Sequence, residues 1–408
     1  MRVGIVTTSF PRRPDDFAGA FVAEHAAWLA AAGHEVEVIA AGDAAGTERW
    51  APSIDVQRVP APAGLFYAGG APEALDRAGR NRSMWPGAAA FTARLVRTVA
   101  QRSERWGAAF AHWIAPSALA VIAADVPTVA IAHSGDVHLV RRTGTAAPLA
   151  WLLRRRGVEL SFVSEPLRRA LATAPGITSS LRFWIESMPI VPMGIDVARL
   201  RRARADASTT RPRTVVFLGR LVPVKGAAVL IDAARHLPPD VRVVIAGDGP
   251  QRAALERLAA RAPNVELVGE VRGAARDALL AGADVVVIPS IELADGRTEG
   301  APVVAYEAMA AGAAVVASDV GGLATLPPTA ARLVPPRQPL ALAREITSLL
   351  ADGSARRAQL AAADRVATAR DWRVVGPSLC KPLKIFHEVR NDLRAPCVNA
   401  SHHSRQTR

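Results

Sequence analysis

Residues 283–318 have the sequence "ADVVVIPSIELADGRTEGAPVVAYEAMAAGAAVVAS", in which two short β-branched runs flank an Ala-rich apolar segment. Strands that are apolar throughout are typical of parallel sheets covered by helices on both faces. The segment between the two runs has the length and composition of a short buried helix. The stretch therefore predicts a strand–helix–strand unit of an α/β protein.

The same alternation continues along most of the chain. Further strand-like runs are "RVGIVTTS", "HEVEVIAA", "VPTVAIAH" and "ELSFVS" in the first half, and "RTVVFLG", "VRVVIAG" and "NVELVG" in the second. Repeated units of this kind predict right-handed crossovers and doubly wound parallel sheets. Because there are too many units for one compact sheet, we expect an α/β protein with two Rossmann-like domains that face each other across a cleft.

A charged segment that contains Ser, Thr and Pro, residues 197–212, separates the two halves and suits a linker. We therefore assign residues 1–196 to a first Rossmann-like domain and residues 213–375 to a second. Residues 391–408 have no periodicity, and we expect a disordered tail there.

The composition is that of a globular protein. The chain has 408 residues, of which 50% are hydrophobic and 21% charged, so each half is long enough to bury its own core. The first residues enter a strand pattern without the apolar core of a signal peptide, and no uncharged apolar run approaches the roughly 18 residues of a spanning helix. We expect a cytoplasmic protein that is at most peripheral to the inner face of a membrane.

The net charge of +13 attracts polyanions in general and does not select one kind. Nucleic acid is not an expected partner, because the chain lacks zinc-finger spacing and has few aromatic residues. Residues 138–157 combine Trp151 with five arginines. This segment either lies on an anionic membrane surface or is an arginine-lined helix of a soluble domain, and the sequence leaves both open.

Ligands of open α/β sheets bind beyond the carboxyl ends of the strands. Arg220 and Lys225 follow a predicted strand and precede a predicted helix, where two cations could clamp a diphosphate. Gly247 and Gly249, after the next strand, would let the backbone approach a ligand closely. A solvated loop and a tight turn explain the same residues nearly as well.

The segment around Glu299 and Glu307 predicts a second anion site. Pro302 is placed for the first helical position, so that the N–H groups of Val303 and Val304 point out of the helix start, at the positive end of its dipole. Carboxylates beside such a site make sense if hydroxyl-rich groups flank the anion. Glu307 fits poorly as a plain surface residue, because the segment around it is almost entirely apolar.

The ordered set "VPMGID", "GRLVPVKG", "IAGDGP", "ADVVVIPS" and "EGAPVVAYEAMAAGAAVVASDVGG" resembles the family 4 retaining glycosyltransferases of the GT-B fold. Glu299 and Glu307 match the E-x7-E motif of that family. The resemblance covers most of residues 1 to about 375. Two departures are Met193, where the family often has asparagine, and Pro302.

The resemblance implies a donor site formed mainly by the second domain, with the first domain on the acceptor side and a C-terminal helix over residues 376–390 that returns to it. The residues it implies in donor binding are Gly19, Arg220, Lys225, Gly247, Glu299, Gly300, Val303, Val304 and Glu307. Arg220 and Lys225 would hold the diphosphate. Glu299 would contact the donor sugar and Glu307 the ribose.

The resemblance also implies four catalytic residues. The residues implied are His133, at the end of a first-domain strand beside the reacting sugar, together with Arg220, Lys225 and Glu299. The resemblance places Asp136 on the acceptor side. Taken from the sequence alone, His133 is more often a structural histidine, and the family match reverses that preference.

The expected function is metal-independent transfer of a glycosyl unit, with retention, from a nucleotide diphosphate sugar to a glycan or lipid-linked acceptor of envelope, exopolysaccharide or lipopolysaccharide biosynthesis. No cofactor or metal is expected, because the sequence has no D-x-D pair to bridge a diphosphate, and cations and helix dipoles would stabilise the leaving group instead. An anionic membrane surface is a further candidate partner.

Alternatives to this function are another GT-B protein, such as a sugar-nucleotide epimerase or a phosphorylase, or a non-catalytic nucleotide- or polyanion-binding protein. The lack of a lysine suited to anchor pyridoxal phosphate in the second domain counts against a phosphorylase.

Overall fold

The computed structural model describes residues 1–13, 16, 18–62, 85–206, 213–294, 296–301 and 303–383. Pro302 and the predicted tail at 391–408 lie outside these ranges, as does the segment 384–390. The described residues form two α/β domains, each built on one predominantly parallel sheet. This is the two-domain doubly wound architecture that the sequence predicts.

The first sheet has seven strands in the order β3-β4-β2-β1-β5-β6-β7. The strands are β1 Arg2–Thr7, β2 Glu35–Gly42, β3 Gly46–Ala51, β4 Ile54–Pro60, β5 Ala108–His112, β6 Thr128–Ala132 and β7 Glu159–Phe162. All pairs are parallel except β3 with β4. The apolar strands in the middle of the sheet are buried, whereas the antiparallel edge strand β3 is polar and exposed.

Helices cover both faces of this sheet. They are α1 Ala20–Ala31, α2 Trp85–Arg102, α3 Ser117–Val121, α4 Gly135–Arg142, α5 Ala146–Arg155, α6 Glu165–Ala172 and α7 Ser179–Ser187. Helix α1 follows β1 directly and buries Val22, Ala26 and Leu29 against the sheet. The carboxyl ends of β1, β5 and β6 consequently meet at one edge, where the loops that precede α1, α3 and α4 begin.

The second sheet has six strands in the order β10-β9-β8-β11-β12-β13, all parallel. They are β8 Thr214–Leu218, β9 Arg242–Ala246, β10 Val265–Gly269, β11 Val285–Ile288, β12 Ala314–Ser318 and β13 Arg332–Val334. The helices are α8 Val197–Ala205, α9 Ala227–Ala234, α10 Arg252–Ala259, α11 Gly273–Ala281, α12 Val303–Ala310, α13 Pro339–Ala351, α14 Gly353–Thr368 and α15 Trp372–Cys380. Alternate residues of the strands enter two separate apolar clusters, one on each face of the sheet.

The segment between the domains differs from the predicted linker. Residues 197–205 form helix α8, capped by Asp196, whose carboxylate accepts a hydrogen bond from the N–H of Arg199 at 2.9 Å. Val197 and Leu200 of this helix are buried in the core of the second domain. The linker assignment is therefore corrected for these residues, because their apolar face packs into that core.

The chain crosses between the domains twice, and the two crossings are hydrogen-bonded to each other. The N–H of Ile195 donates to the carbonyl of Arg370 at 2.9 Å, and the N–H of Trp372 donates to the carbonyl of Ile195 at 3.2 Å. Helix α15 then packs on α1 of the first domain, where a Cβ atom on Gly376 would lie 2.3 Å from the ring of Trp28. The returning helix thus begins at Trp372, ahead of the predicted 376–390.

Candidate active site

The predicted site residues of both domains meet where the loop 298–300 of the second domain touches the first. The hydroxyl of Ser134 donates to the carbonyl of Thr298 at 3.2 Å. A Cβ atom on Gly300 would lie 2.1 Å from the carbonyl oxygen of His133, so glycine is required for this approach. The loop that carries Glu299 is therefore held directly against the strand end that carries His133.

Lys225 and Glu299 form an ion pair at the centre of this region. The Lys225 Nζ lies 2.7 Å from Oε1 of Glu299, and the Ser290 hydroxyl donates to the same oxygen at 3.3 Å. Lys225 ends a 3-10 turn over Pro223–Lys225, and the following Gly226 has a φ of 66° and packs against the carbonyl of Pro289. The turn after β8 and the loop after β11 thus fix the lysine and the glutamate against each other.

Glu307 is also paired with a cation, and the sequence did not reveal its partner. It lies on α12, is 5% exposed, and accepts from the Nη2 of Arg276 on α11 at 2.5 Å. This contact supplies the compensation that a carboxylate in an apolar segment requires. Both motif glutamates of the second domain are therefore held by a basic side chain.

The Arg276–Glu307 pair belongs to a chain of five charges of alternating sign. Arg276 Nη1 lies 3.8 Å from Asp277, Asp277 lies 3.1 Å from Arg199, and Arg199 lies 2.8 Å from Glu24 on α1. The chain thus joins the first domain to Glu307. Burial, together with repulsion from Glu307, raises the pKa of Glu24 to about 7, against the smaller opposing effect of Arg199.

The two glycines that the sequence predicts beside a ligand, Gly247 and Gly249, pack closely against the backbone of the loop after β8. Gly247, with a φ of 146°, lies against the carbonyl of Gly219, and a Cβ atom there would come within 1.8 Å of that oxygen. Gly249 lies in the same way against Leu221. This packing places Gly247 beside the loop that leads to Arg220, and its approach to a ligand stays a prediction.

The remaining predicted donor residues lie at the start of α1, after β8 and at the start of α12. Gly19 has a φ of 74° at the start of α1, and a Cβ atom there would come within 2.4 Å of the Ser9 carbonyl. Arg220 follows β8 and is half-buried. Val303 and Val304 are the first two described residues of α12, as the sequence predicts, and both are half-buried.

Asp136 has a different position from the one expected. Its carboxylate is fully buried and accepts from four backbone N–H groups, those of Ile114 at 2.7 Å, Ser134 at 2.9 Å, Val137 at 3.0 Å and His133 at 3.2 Å. Burial raises the pKa of Asp136, and these N–H groups oppose that rise. The expected acceptor contact is thus corrected: Asp136 holds the backbone around His133.

Three histidines form a row beneath the site. Nε2 of His133 lies 3.1 Å from Nδ1 of His112, and Nε2 of His112 lies 3.0 Å from Nδ1 of His25. His112 ends β5 and His133 follows the neighbouring strand β6, whereas His25 comes from α1. A signal for the first pair exists in the sequence, because both histidines end apolar runs. The position of His25 depends on how α1 packs.

Two α/β domains that contact each other, with a lysine–glutamate pair at the carboxyl ends of the strands of the second, have the architecture of the GT-B glycosyltransferases. The model for "Glycosyl transferase 4-like domain" matches residues 18–178, and the model for "Glycosyl transferases group 1" matches residues 212–352. The chain belongs to the family 4 glycosyltransferases, an enzyme family of hexosyltransferases. The resemblance found in the sequence is thereby confirmed.

Individual relatives agree with this assignment, and a solved structure shares the fold. The chain is 30% identical over 391 residues to D-inositol 3-phosphate glycosyltransferase of Xylanimonas cellulosilytica, a match that covers 86% of this chain and 87% of that protein. It is 34% identical over 198 residues to phosphatidyl-myo-inositol mannosyltransferase of Mycolicibacterium smegmatis, which covers 47% of this chain and only 50% of that protein. The crystal structure of HepE from Anabaena in complex with UDP-glucose superposes with a TM-score of 0.65 at 19% identity, over 94% of this chain and 99% of that chain.

Within the described ranges, no helix is both long and apolar enough to cross a lipid bilayer.

Proposed function

We propose that the protein transfers a hexosyl unit, with retention of the anomeric configuration and without a metal ion, from a nucleotide diphosphate sugar to a glycan or lipid-linked acceptor. The observation that carries this proposal is the ion pair between Lys225 and Glu299, held against the His133 strand end by the Gly300 contact. A cation for phosphate and a carboxylate for hydroxyl groups are thereby placed side by side at the domain boundary.

The phosphates of the donor would contact the cations, and its hydroxyl groups would contact the carboxylates. Lys225 has three N–H donors, so it can keep Glu299 while it contacts a phosphate oxygen. Arg220 and the amino end of α12 would add positive charge to the same diphosphate. Glu299 would accept from hydroxyl groups of the donor sugar, and Glu307 from those of the ribose while it remains paired with Arg276.

The chemical step that suits this arrangement is a displacement on one face of the donor sugar. The bond between the anomeric carbon and the diphosphate oxygen breaks, and the leaving diphosphate takes the electron pair. The acceptor oxygen bonds to the same carbon from the same face, and its proton passes to a phosphate oxygen. Lys225, Arg220 and the dipole of α12 would stabilise the charge that develops on the diphosphate, which is the role a metal ion has in other transferases.

The acceptor proposal follows from the relatives. One of them carries inositol 3-phosphate in its name and the other phosphatidyl-myo-inositol, so a hydroxyl-rich acceptor, free or lipid-linked, is common to both. Another relative, from Bacillus subtilis, is named for teichuronic acid biosynthesis. We propose assembly of an envelope polysaccharide or glycolipid as the setting of the reaction.

Nucleotide binding provides the first test. We would titrate UDP and GDP by calorimetry, in the presence of EDTA, into the wild type, Lys225→Ala and the matched control Lys381→Ala, an exposed lysine outside the candidate site. The proposal requires micromolar binding of one nucleotide, at least about tenfold weaker in Lys225→Ala and unchanged in the control. Equal binding by both variants, or no binding of either nucleotide, would contradict it.

A peripheral membrane position is the second part of the proposal. Helices α5 and α7 contact each other, and they expose Trp151, which is 55% exposed, and Phe183, which is 77% exposed. Exposed arginines surround them, and the Arg155 guanidinium lies 5.6 Å from the centre of the Trp151 ring. Aromatic side chains with neighbouring arginines are typical of surfaces that bind anionic lipid headgroups.

Vesicle sedimentation tests the membrane surface. We expect the wild type to bind vesicles that contain phosphatidylglycerol at low salt, and the double variant Trp151→Ser, Phe183→Ser to lose most of that binding. Leu340→Ser removes a similarly exposed apolar residue from the second domain and serves as the control. Absence of wild-type binding to these vesicles would refute this part of the proposal and leave the donor site untouched.

A further inference from the structure

The row formed by His25, His112 and His133 has a direction that can be derived from its hydrogen bonds. A neutral imidazole has one N–H donor and one nitrogen acceptor. Two contacts join the three rings, at 3.0 Å between His25 and His112 and at 3.1 Å between His112 and His133. Each contact needs one proton, so every ring in the row must donate in the same direction.

The surroundings keep the three rings neutral. Burial, the largest effect, lowers the pKa of His25 and His133 to about 3 and that of His112 well below its ordinary value, and neighbouring imidazoles lower those of His112 and His133 further. The side chains packed against the rings are aromatic: Phe21, Trp28, Phe110, Trp113 and Trp372.

The acidic groups close in sequence are engaged elsewhere. Asp136 accepts from backbone N–H groups, and Glu24 is paired with Arg199 and accepts from the indole N–H of Trp372. Neither carboxylate forms a hydrogen bond to an imidazole nitrogen of the row. Cationic imidazoles would therefore lack direct carboxylate partners within the described part of the chain.

The far end of the row decides its direction. Nε2 of His25 is buried and has no hydrogen-bond partner. If the row donated from His133 towards His25, this nitrogen would carry an N–H group with no acceptor, and a buried donor without a partner is costly and rare. In the opposite direction Nε2 of His25 carries only a lone pair, beside the stacked ring of Trp372 at 5.0 Å.

We propose that His25 and His112 are positioning residues that fix His133 as the Nδ1–H tautomer, so that it presents a hydrogen-bond donor to the donor sugar. Nδ1–H of His25 donates to Nε2 of His112, and Nδ1–H of His112 donates to Nε2 of His133. The proton of His133 then lies on Nδ1, which is the nitrogen of this ring that has no partner among the described residues and is not buried.

What this inference means for the transfer reaction rests on the proposed function. A neutral His133 that donates from Nδ1 can bind a hydroxyl or phosphate oxygen of the donor, but it cannot remove the proton of the acceptor hydroxyl through that nitrogen. The acceptor proton must then go elsewhere, and the leaving diphosphate is the partner that the proposed chemistry offers. His133 contributes orientation of the sugar, and the two other histidines act only through it.

Nitrogen NMR of the histidine rings tests the direction without any substrate. The chain has nine histidines, and the loss of one signal set in His133→Gln would assign that residue after ¹⁵N labelling. At pH 7 we expect wild-type His133 to show a protonated Nδ1 and an unprotonated Nε2. A protonated Nε2, or a cationic ring, would overturn the inference, whatever the activity of the protein.

Two variants at the far end test the positioning role. His25→Leu removes the first donor of the row, whereas the amide nitrogen of His25→Asn replaces Nδ1. In His25→Leu we expect the Nδ1–H tautomer of His133 to lose its dominance and the transfer rate to fall about tenfold, while nucleotide affinity stays within about twofold. In His25→Asn we expect the tautomer and the transfer rate to recover.

The outcomes separate this inference from the proposed function. If His25→Leu keeps the wild-type tautomer and rate, the positioning role is refuted. If the wild type has the expected tautomer but binds no nucleotide, the row stands and the transferase proposal fails. If His25→Leu does not fold, the wild-type spectrum and the comparison with His25→Asn still decide the question.

Discussion

Lys225 and Glu299 contact each other at 2.7 Å, although 74 positions in the sequence separate them. The lysine comes from the turn after β8 and the glutamate from the loop after β11, and the two strands are neighbours in the sheet. Both side chains are mostly buried, so neither charge is compensated by water alone. The pair is therefore held by groups of the protein itself, with Ser290 as a third partner of the carboxylate.

Glu299→Gln should separate sugar contact from nucleotide contact. The amide keeps the size of the side chain but loses the charge that accepts from sugar hydroxyl groups, so we expect transfer to fall by at least about tenfold. Nucleotide affinity should stay within about threefold, since Lys225 remains. Calorimetry and a transfer assay on the variant measure the two effects. The matched control is Glu292→Gln, which changes an exposed residue of the same loop. If transfer fell as much in Glu292→Gln as in Glu299→Gln, the predicted contact of Glu299 with the sugar would be contradicted.

Arg276→Met should destabilise the protein. Its partner Glu307 is buried, and removal of one member of a mostly buried pair leaves an uncompensated charge, which costs about 2–3 kcal/mol. The control is Arg242→Met: the Arg242–Glu266 pair has the same 2.5 Å distance, but its side chains are 51% and 53% exposed, and its loss should cost less than about 1 kcal/mol. Urea unfolding of both variants provides the comparison, and equal losses would contradict the role of burial.

Glu24→Gln should change how stability depends on pH. The folded protein retains the proton of Glu24 up to about pH 7, whereas the unfolded chain releases it near the ordinary value of 4.5. The stabilisation from this proton is complete below pH 4.5 and is lost as the pH rises through 7. It amounts to about 3 kcal/mol at most.

We therefore expect wild-type stability to fall between pH 5 and pH 8 relative to Glu24→Gln, as followed by urea unfolding. Parallel pH profiles for the two proteins would show that Glu24 has an ordinary pKa. In that case burial and the repulsion from Glu307 would not raise the pKa of Glu24.

Gly300→Ala should uncouple the domains. The added Cβ atom would lie 2.1 Å from the carbonyl of His133, so the loop that carries Glu299 would have to move away from the first domain. We expect transfer to fall about a hundredfold, because the reacting groups then separate by an ångström or more. Nucleotide binding should stay within about threefold, because most of the predicted donor residues belong to the second domain.

Gly46→Ala is the control for this change, because a Cβ atom there meets nothing within 4 Å. Wild-type transfer by Gly300→Ala would mean that the contact between Gly300 and His133 is absent from the reacting enzyme. A parallel loss of nucleotide binding would mean that the alanine disturbs the second domain itself.

Strands with strong local signals were predictable from the sequence. Runs such as "VVFL" and "VVVI" become buried central strands, since β-branched side chains fit a sheet that is covered on both faces. Strand β5, "AAFAH", carries little β-propensity of its own, and its position between β1 and β6 makes it a strand. The polar edge strand β3 forms by pairing with β4, and its residues carry no apolar pattern from which a strand could be predicted.

The site was predictable in part for a related reason. The sequence indicates which loops follow strands, and parallel strands bring those loops to one edge, so Lys225 and Glu299 could be assigned to the same edge of the sheet but not paired with each other. It does not indicate the direction of a side chain within a loop. Asp136 was expected on the acceptor side, and it turns inwards because four backbone N–H groups are available there.

By itself, the sequence determined most of the apolar strands, the two domains and the loops that carry the predicted donor residues, because periodicity and residue type act over a few neighbouring positions. Only the tertiary structure decided which distant groups meet. The row from His25 to His133 depends on how α1 packs on the sheet, and the charges from Glu24 to Glu307 depend on how the domains contact each other. Such contacts join residues that lie far apart in the chain, and no local pattern encodes them.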